Sequence, residues 1–253
     1  MNTQFASSFD DTQRRRHGKL AATLLPGAGY CEVLRWIHEF LRPASYLEIG
    51  IRKGESLRIA REGTLCLGID PHPMIAAEQS RGMRIFEATS DDFFRQQNLP
   101  ALLGAPHFAL AFIDGLHLWE QALRDFINLE RYAGPGSVIL IHDCLPLDEL
   151  TSARTRSTAF HTGDVWKLAL CLRQERPDLK MTTVRTNPSG LCIVTHLDPA
   201  STFLSDRFEE LVGRYTHLGF ADYQNSGEKL PVPLVNDRDA IAAWLSEASV
   251  PNT

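Results

Sequence analysis

No apolar run in the chain approaches the roughly 20 residues that a helix needs to cross a bilayer, so a membrane span is not expected. Met1 to Arg16 lacks the apolar centre of a secretory signal. The five cysteines, Cys31, Cys66, Cys144, Cys171 and Cys192, are scattered with no Cys-x-x-Cys pair. That argues against a zinc site and suits a reducing, cytoplasmic setting. Basic excess is missing too: a formal net charge of −5 disfavours nucleic acid and anionic membrane surfaces as partners. No internal repeat or low-complexity segment interrupts the 253 residues, a length that suits one large α/β domain with additions. Hydrophobic content of 43% with 23% charged residues is that of an ordinary soluble globular protein. Oligomeric state is not legible, and a homo-oligomer stays open.

What the chain does contain is a strand-turn-helix signal at Tyr46-Leu47-Glu48-Ile49-Gly50-Ile51-Arg52-Lys53-Gly54-Glu55-Ser56. The apolar run Tyr46 to Ile49 reads as a buried parallel strand, Gly50 and Gly54 as its turn, and Glu55 to Arg61 as a helix. This is the opening of a doubly wound nucleotide-binding sheet. Glycine there lets a ligand approach the backbone, and the helix start offers N–H groups to an anion. The glycine spacing is not the G-x-G-x-x-G of dinucleotide sites. Glu48, two residues before Gly50, would repel a pyrophosphate and attract a ligand carrying an amino group.

Further strands deliver polar residues to the same edge, where open α/β sheets bind ligands. Thr64 to Ile69 ends at Asp70, about 20 residues beyond Gly50, where an acid that holds ribose hydroxyls is expected. Met83 to Ala88 leads into Thr89-Ser90-Asp91-Asp92, which serves equally as a helix N-cap or as a ligand contact. His107 to Ile113 ends at Asp114-Gly115-Leu116-His117, and Ser137 to Ile141 at His142-Asp143. His117 can accept a proton near neutral pH. Helices are expected over Ala28–Leu41, Leu118–Tyr132 and Asp164–Gln174. Lys180–Thr186 and Gly190–His196 read as a hairpin. Residues 1–10 read as unstructured, the basic run Arg14–Lys19 as a solvated helix face, 200–219 and 237–248 as helices, and Pro231-Val232-Pro233 as a loop. Cys144–Gly163 is long and polar. It is expected to bury little and to form a mobile lid, with Arg154 or Arg156 meeting an anionic group on a bound molecule.

Glu48-x-Gly50 resembles motif I of the class I S-adenosylmethionine-dependent methyltransferases. The form Glu-Ile-Gly-x-x-x-Gly-x-Ser is similar to the macrocin-type branch. Asp114-Gly-x-His117, a helix, Pro135-Gly136, a strand and His142-Asp143 extend the likeness, as do Gly163-Asp164-Val165-Trp166-Lys167 and Gly190-Leu191. The resemblance implies an α/β, doubly wound, seven-stranded Rossmann-like sheet with an antiparallel final hairpin. It implies a helical cap over 1–42, a catalytic domain over 43–198 and a helical extension over 199–253. It implies methyl transfer from S-adenosylmethionine, to a small-molecule hydroxyl of sugar or phenol type. Glu48, Gly50, Gly54, Ser56, Asp70, Ser90, Asp91 and Asp114 would then bind the cofactor, and His117 with Asp114 would serve catalysis. By likeness to catechol-type members, Asp114, His142 and Asp143 would hold a divalent cation, Mg2+ or Mn2+. Histidine at 142 departs from the all-oxygen pattern and shifts preference toward manganese, iron or zinc. Two other functions compete. For a nicotinamide-dependent oxidoreductase the third glycine is missing; against a non-catalytic cofactor-binding relative stands the intact Asp114, His117 and Asp143 set.

Overall fold

The computed structural model describes residues 11–248. Its centre is an eight-stranded sheet of order β3-β2-β1-β4-β5-β7-β6-β8. The strands are β1 (Ser45–Ile49), β2 (Leu65–Asp70), β3 (Met83–Glu87), β4 (Leu110–Ile113), β5 (Val138–His142), β6 (Lys180–Val184), β7 (Leu191–Thr195) and β8 (Pro233–Leu234). β7 runs antiparallel to both neighbours, pairing Ile141 with Cys192 and Thr183 with Cys192. All other pairings are parallel. The C-terminal edges of β1, β2, β3, β4 and β5 therefore lie on one side.

Period-two alternation sends the strand side chains into two separate cores. Leu47, Ile49, Leu67, Ile69, Ala111, Ile113, Ile139 and Ile141 face one side. There they meet helices α3 (Ser90–Gln96), α4 (Leu99–Leu103), α5 (Trp119–Glu130) and α6 (Trp166–Glu175). Tyr46, Cys66, Leu110, Phe112, Val138 and Leu140 face the other, against α2 (Tyr30–Leu41) and α10 (Arg238–Ala248). The α2 stripe Val33, Leu34 and Ile37 is fully buried, as its spacing requires. The remaining helices are α1 (Asp11–Leu24), α7 (Phe203–Asp206), α8 (Phe208–Tyr215) and α9 (Phe220–Ser226).

Three expectations are corrected. The helix expected over Glu55–Arg61 is a single 3₁₀ turn, Leu57–Ile59. Leu57 is its buried apolar anchor, and Ile59 and Ala60 bond back only three residues, so the turn does not propagate. Second, Pro231-Val232-Pro233 is not all loop, because Pro233–Leu234 adds an eighth, edge strand beside β6. Proline is tolerated there because an edge leaves one side of the strand unpaired. Third, Cys144–Gly163 is well packed: Leu147, Thr151, Ser152, Thr158 and Thr162 are buried. Its polar residues satisfy one another, with Thr151 N–H on Asp148 and the Thr162 hydroxyl on the Thr151 carbonyl. α1, which carries the basic run, lies over it through Ala21, Leu25, Leu147 and Phe160. His17 reaches Asp148 at 3.1 Å. The expected disorder of residues 1–10 lies outside the described residues.

Candidate active site

The site begins where β1 ends. Glu48 is wholly buried; Tyr46 donates to it at 2.8 Å and the Ser56 hydroxyl donates to its other oxygen. Burial raises its pKa to about 8, the two hydroxyl bonds pull the other way, and Asp114 and Asp70 add to the rise. A buried acid in that condition is short of a neighbouring cation, and a ligand ammonium beside it would meet the deficit.

Gly50 has φ +91°, and a Cβ there would lie 2.1 Å from the Asp114 carbonyl oxygen. Gly54, at φ +67°, would strike Ile75. Contact between protein segments thus demands both glycines, a different reason from the ligand approach that the sequence suggests. The N–H groups of this loop are largely engaged as well. Gly54 N–H bonds to Ile51, and Arg52 N–H bonds to Asp70 at 2.7 Å. With no full helix behind it, the loop offers no helix-start anion site.

Asp70 closes β2. One carboxylate oxygen takes Arg52 N–H and the other His72 N–H, both at 2.7 Å, which orients the group while each oxygen keeps acceptor capacity. Beyond β3, Thr89 caps α3 by accepting from Asp92 N–H. Ser90 turns inward to Asp125 at 2.5 Å, and Asp91 pairs with Arg124 at 3.1 Å.

Asp114, His117 and Asp143 come together after β4 and β5, each offering a ligand atom within 4.8 Å of the others. His117 Nδ1 stands 3.0 Å from Asp143 and 2.7 Å from the His161 carbonyl. Its ring stacks on that of His161 at 5.6 Å. Gly163, at φ +56°, seats this arrangement, because any Cβ there would overlap the His117 carbonyl oxygen. Asp143 itself has φ +60°, a left-handed conformation that costs a non-glycine residue about 1 kcal/mol or more. Its carboxylate lies 3.0 Å from His117 Nδ1 and 3.6 Å from His142 Nδ1.

His142 stands outside that three-residue group. Its Nδ1 is 3.0 Å from Asp114 and its Nε2 is 3.2 Å from the Ser189 hydroxyl. Burial works against its protonation, but Asp114 and Asp143 outweigh this and raise its pKa to about 9. The protein therefore supplies a positive charge of its own between two carboxylates. Two carboxylates and an imidazole also suit a divalent cation in charge and donor type. Since both partners of His117 Nδ1 are acceptors, that nitrogen carries the proton, and a metal would have to take Nε2.

Several site residues escaped the sequence reading. Tyr30, the first residue of α2, lays its ring against His142 at 4.2 Å, and the Tyr30 hydroxyl is held protonated by burial and by Asp114. Nothing in a tyrosine at a helix start signals this. His161 comes from the crossover, where no periodicity exists to read, and Gly163, which carries part of the family likeness, gives no sign in the sequence that it seats His117. Gln121 and Asp125 had a usable signal: Asp125 shares the apolar face of α5 with Ala122, Phe126 and Leu129, and an acid on that face needs a buried partner. Arg154, expected to meet a bound anion, is held by Glu120 at 2.5 Å and Asp164 at 2.7 Å. Arg156 donates to the carbonyls of Thr158 and Ala159.

Among the described residues, no helix is long and apolar enough to cross a membrane. Residues 47–144 match a family model described as a methyltransferase domain. No curated protein matches the sequence. Among solved structures, cofactor-bound Rv0187 from MTB aligns with 73% of this chain and 89% of its own, at 18% identity and a TM-score of 0.51. A structure described as that of an O-methyltransferase from Klebsiella pneumoniae aligns with 75% of this chain and 91% of its own, at 17% identity and a TM-score of 0.50. At these identities the likeness is one of fold. Residues 47–144 thus carry the likeness to a methyltransferase domain, on a sheet closed by an antiparallel hairpin.

Proposed function

We propose that the protein moves the methyl group of S-adenosylmethionine to a hydroxyl oxygen of a small-molecule acceptor, with His117 as general base. The setting of His117 carries this reading. The His161 carbonyl accepts from Nδ1, with Asp143 3.0 Å from the same nitrogen, which leaves the lone pair on Nε2 to take the acceptor's proton. Asp143 then stabilises the imidazolium, as a carboxylate behind a catalytic histidine does. The bound cofactor supplies an electrophilic methyl carbon on a sulfonium. Glu48 would face its ammonium, Asp70 its ribose hydroxyls, and Ser90 with Asp91 its base. Gly50 and Gly54 shape the floor beneath it, and Ser56 holds Glu48 in place. Most of the acceleration would come from holding acceptor and methyl donor in line. Asp114 and Asp143 would hold a divalent cation, magnesium or manganese, whose chemistry would be to lower the pKa of the acceptor hydroxyl.

The test is a pair of measurements. S-adenosylhomocysteine should raise the melting temperature, and Asp70→Ala should remove most of the rise. His117→Ala should keep that rise yet lose about 10²- to 10⁴-fold in kcat on a catechol or hexose hydroxyl. An undiminished shift in Asp70→Ala refutes the ribose role, and full turnover in His117→Ala refutes the base. Activity unchanged by chelator removes the cation from the scheme.

A further inference from the structure

We propose that Asp125 fixes the hydrogen-bonding sense of Ser90, and so makes the loop after β3 select an amino-bearing purine over its oxo counterpart. The inference rests on the cofactor reading above, since that reading places a purine against Ser90. Asp125 is 1% exposed, and Ser90 lies under it at the start of α3. One carboxylate oxygen of Asp125 takes both the Ser90 hydroxyl, at 2.5 Å, and Gln121 Nε2, at 3.1 Å. The other oxygen points toward Gly115, at the end of β4, where a Cβ would stand 3.9 Å away. Asp125 thus ties α5 to the start of α3 through Ser90.

An ionised carboxylate only accepts, so at 2.5 Å the proton on that contact belongs to Ser90. Burial raises the Asp125 pKa to about 6, while Ser90 and Gln121 oppose the rise, which leaves the group ionised at neutral pH. With its proton committed, the Ser90 oxygen has only lone pairs to present. Gln121 takes part of that capacity through a long contact of 3.3 Å. What remains is an acceptor, which suits the N–H of an exocyclic amine and opposes a carbonyl oxygen. Arg124 does not upset this sense, because it is turned outward to Asp91. Asp125 would be a positioning residue: it touches Ser90 and leaves the ligand to Ser90.

The test compares binding of S-adenosylhomocysteine with its inosine analogue, by calorimetry on the full chain. The wild-type protein should prefer the adenine form by about tenfold or more, the consequence of one polar contact left unmade. Asp125→Asn should keep most of that preference, because its amide oxygen still has to accept from Ser90 and Gln121. Asp125→Leu, similar in volume but without an acceptor, should reduce it to within about threefold. Ser90→Ala, which leaves the carboxylate in place, should do the same. If either Asp125→Leu or Ser90→Ala keeps the wild-type ratio, the inference is overturned while the cofactor reading stands. If the wild-type protein binds neither ligand, the cofactor reading fails and takes this inference with it.

Discussion

Replacing Glu48 by glutamine should change how the stability of the ligand-free protein depends on pH. The carboxyl is wholly buried, and its pKa rises from the ordinary 4.5 to about 8. In the unfolded chain the group loses its proton near pH 4.5; in the folded protein it keeps it until pH 8. Between those values the folded state binds more protons, so stability must fall as pH rises. From pH 5 to pH 8 the fall due to this group is about 3 kcal/mol, taking about 1.4 kcal/mol per pKa unit. Glutamine can still accept from Tyr46 and bond with Ser56, but it has no proton to lose. Urea unfolding of both proteins at the two pH values isolates the effect. The stability difference between variant and wild type should move by about 3 kcal/mol in favour of the variant on going from pH 5 to pH 8. His142 titrates over part of the same range, and because the Glu48 charge helps to raise its pKa, the comparison is made in a His142→Asn background. A difference that stays constant within error would refute the claim that Glu48 is held protonated. With S-adenosylhomocysteine bound, an ammonium beside Glu48 should lower its pKa and release a proton at neutral pH, which calorimetry in buffers of different ionisation enthalpy would detect.

Three further outcomes follow from particular contacts. His38 is fully buried, neither ring nitrogen has a hydrogen-bond partner among the described residues, and burial with Arg61 nearby lowers its pKa to about 4. As pH falls from 6.5 toward 4 the unfolded chain takes the proton first, so the protein loses stability there; His38→Leu should abolish that loss and be neutral or stabilising at pH 7 by melting temperature. Glu130 accepts two bonds from buried Arg176, at 2.8 and 2.9 Å, so Glu130→Ala should cost about 3 kcal/mol in urea unfolding by stranding the guanidinium, although Asp178 keeps part of it paired. Gly163→Ala should push the crossover off the His117 backbone, lowering kcat about 10²-fold or more, with S-adenosylhomocysteine binding largely kept; unchanged turnover would show that the crossover does not seat His117.

The strands and their polar ends were legible because each signal is local. An apolar run that stops at Glu48-Ile49-Gly50, Asp70, Asp114 or His142-Asp143 marks a strand and the side chain at its end within a few residues of chain, and parallel pairing then puts those ends along one edge. The closing hairpin was legible for the same reason, from two apolar runs about one turn apart. What the sequence could not decide depended on approach between distant segments. Gly50 reads as a ligand glycine until the Asp114 carbonyl is found in the place of its Cβ. The polar composition of Cys144–Gly163 suggested an open lid, but internal hydrogen bonds and the cover of α1 let those polar groups be buried. Which nitrogen of His117 carries the proton depends on a carbonyl 44 residues further along the chain. The raised pKa values of Glu48 and His142 likewise arise only on folding, since the shifts come from lost solvent and from charges that the sheet gathers at one edge. Local pattern determines which residues reach the edge; tertiary packing decides how they are protonated and oriented there.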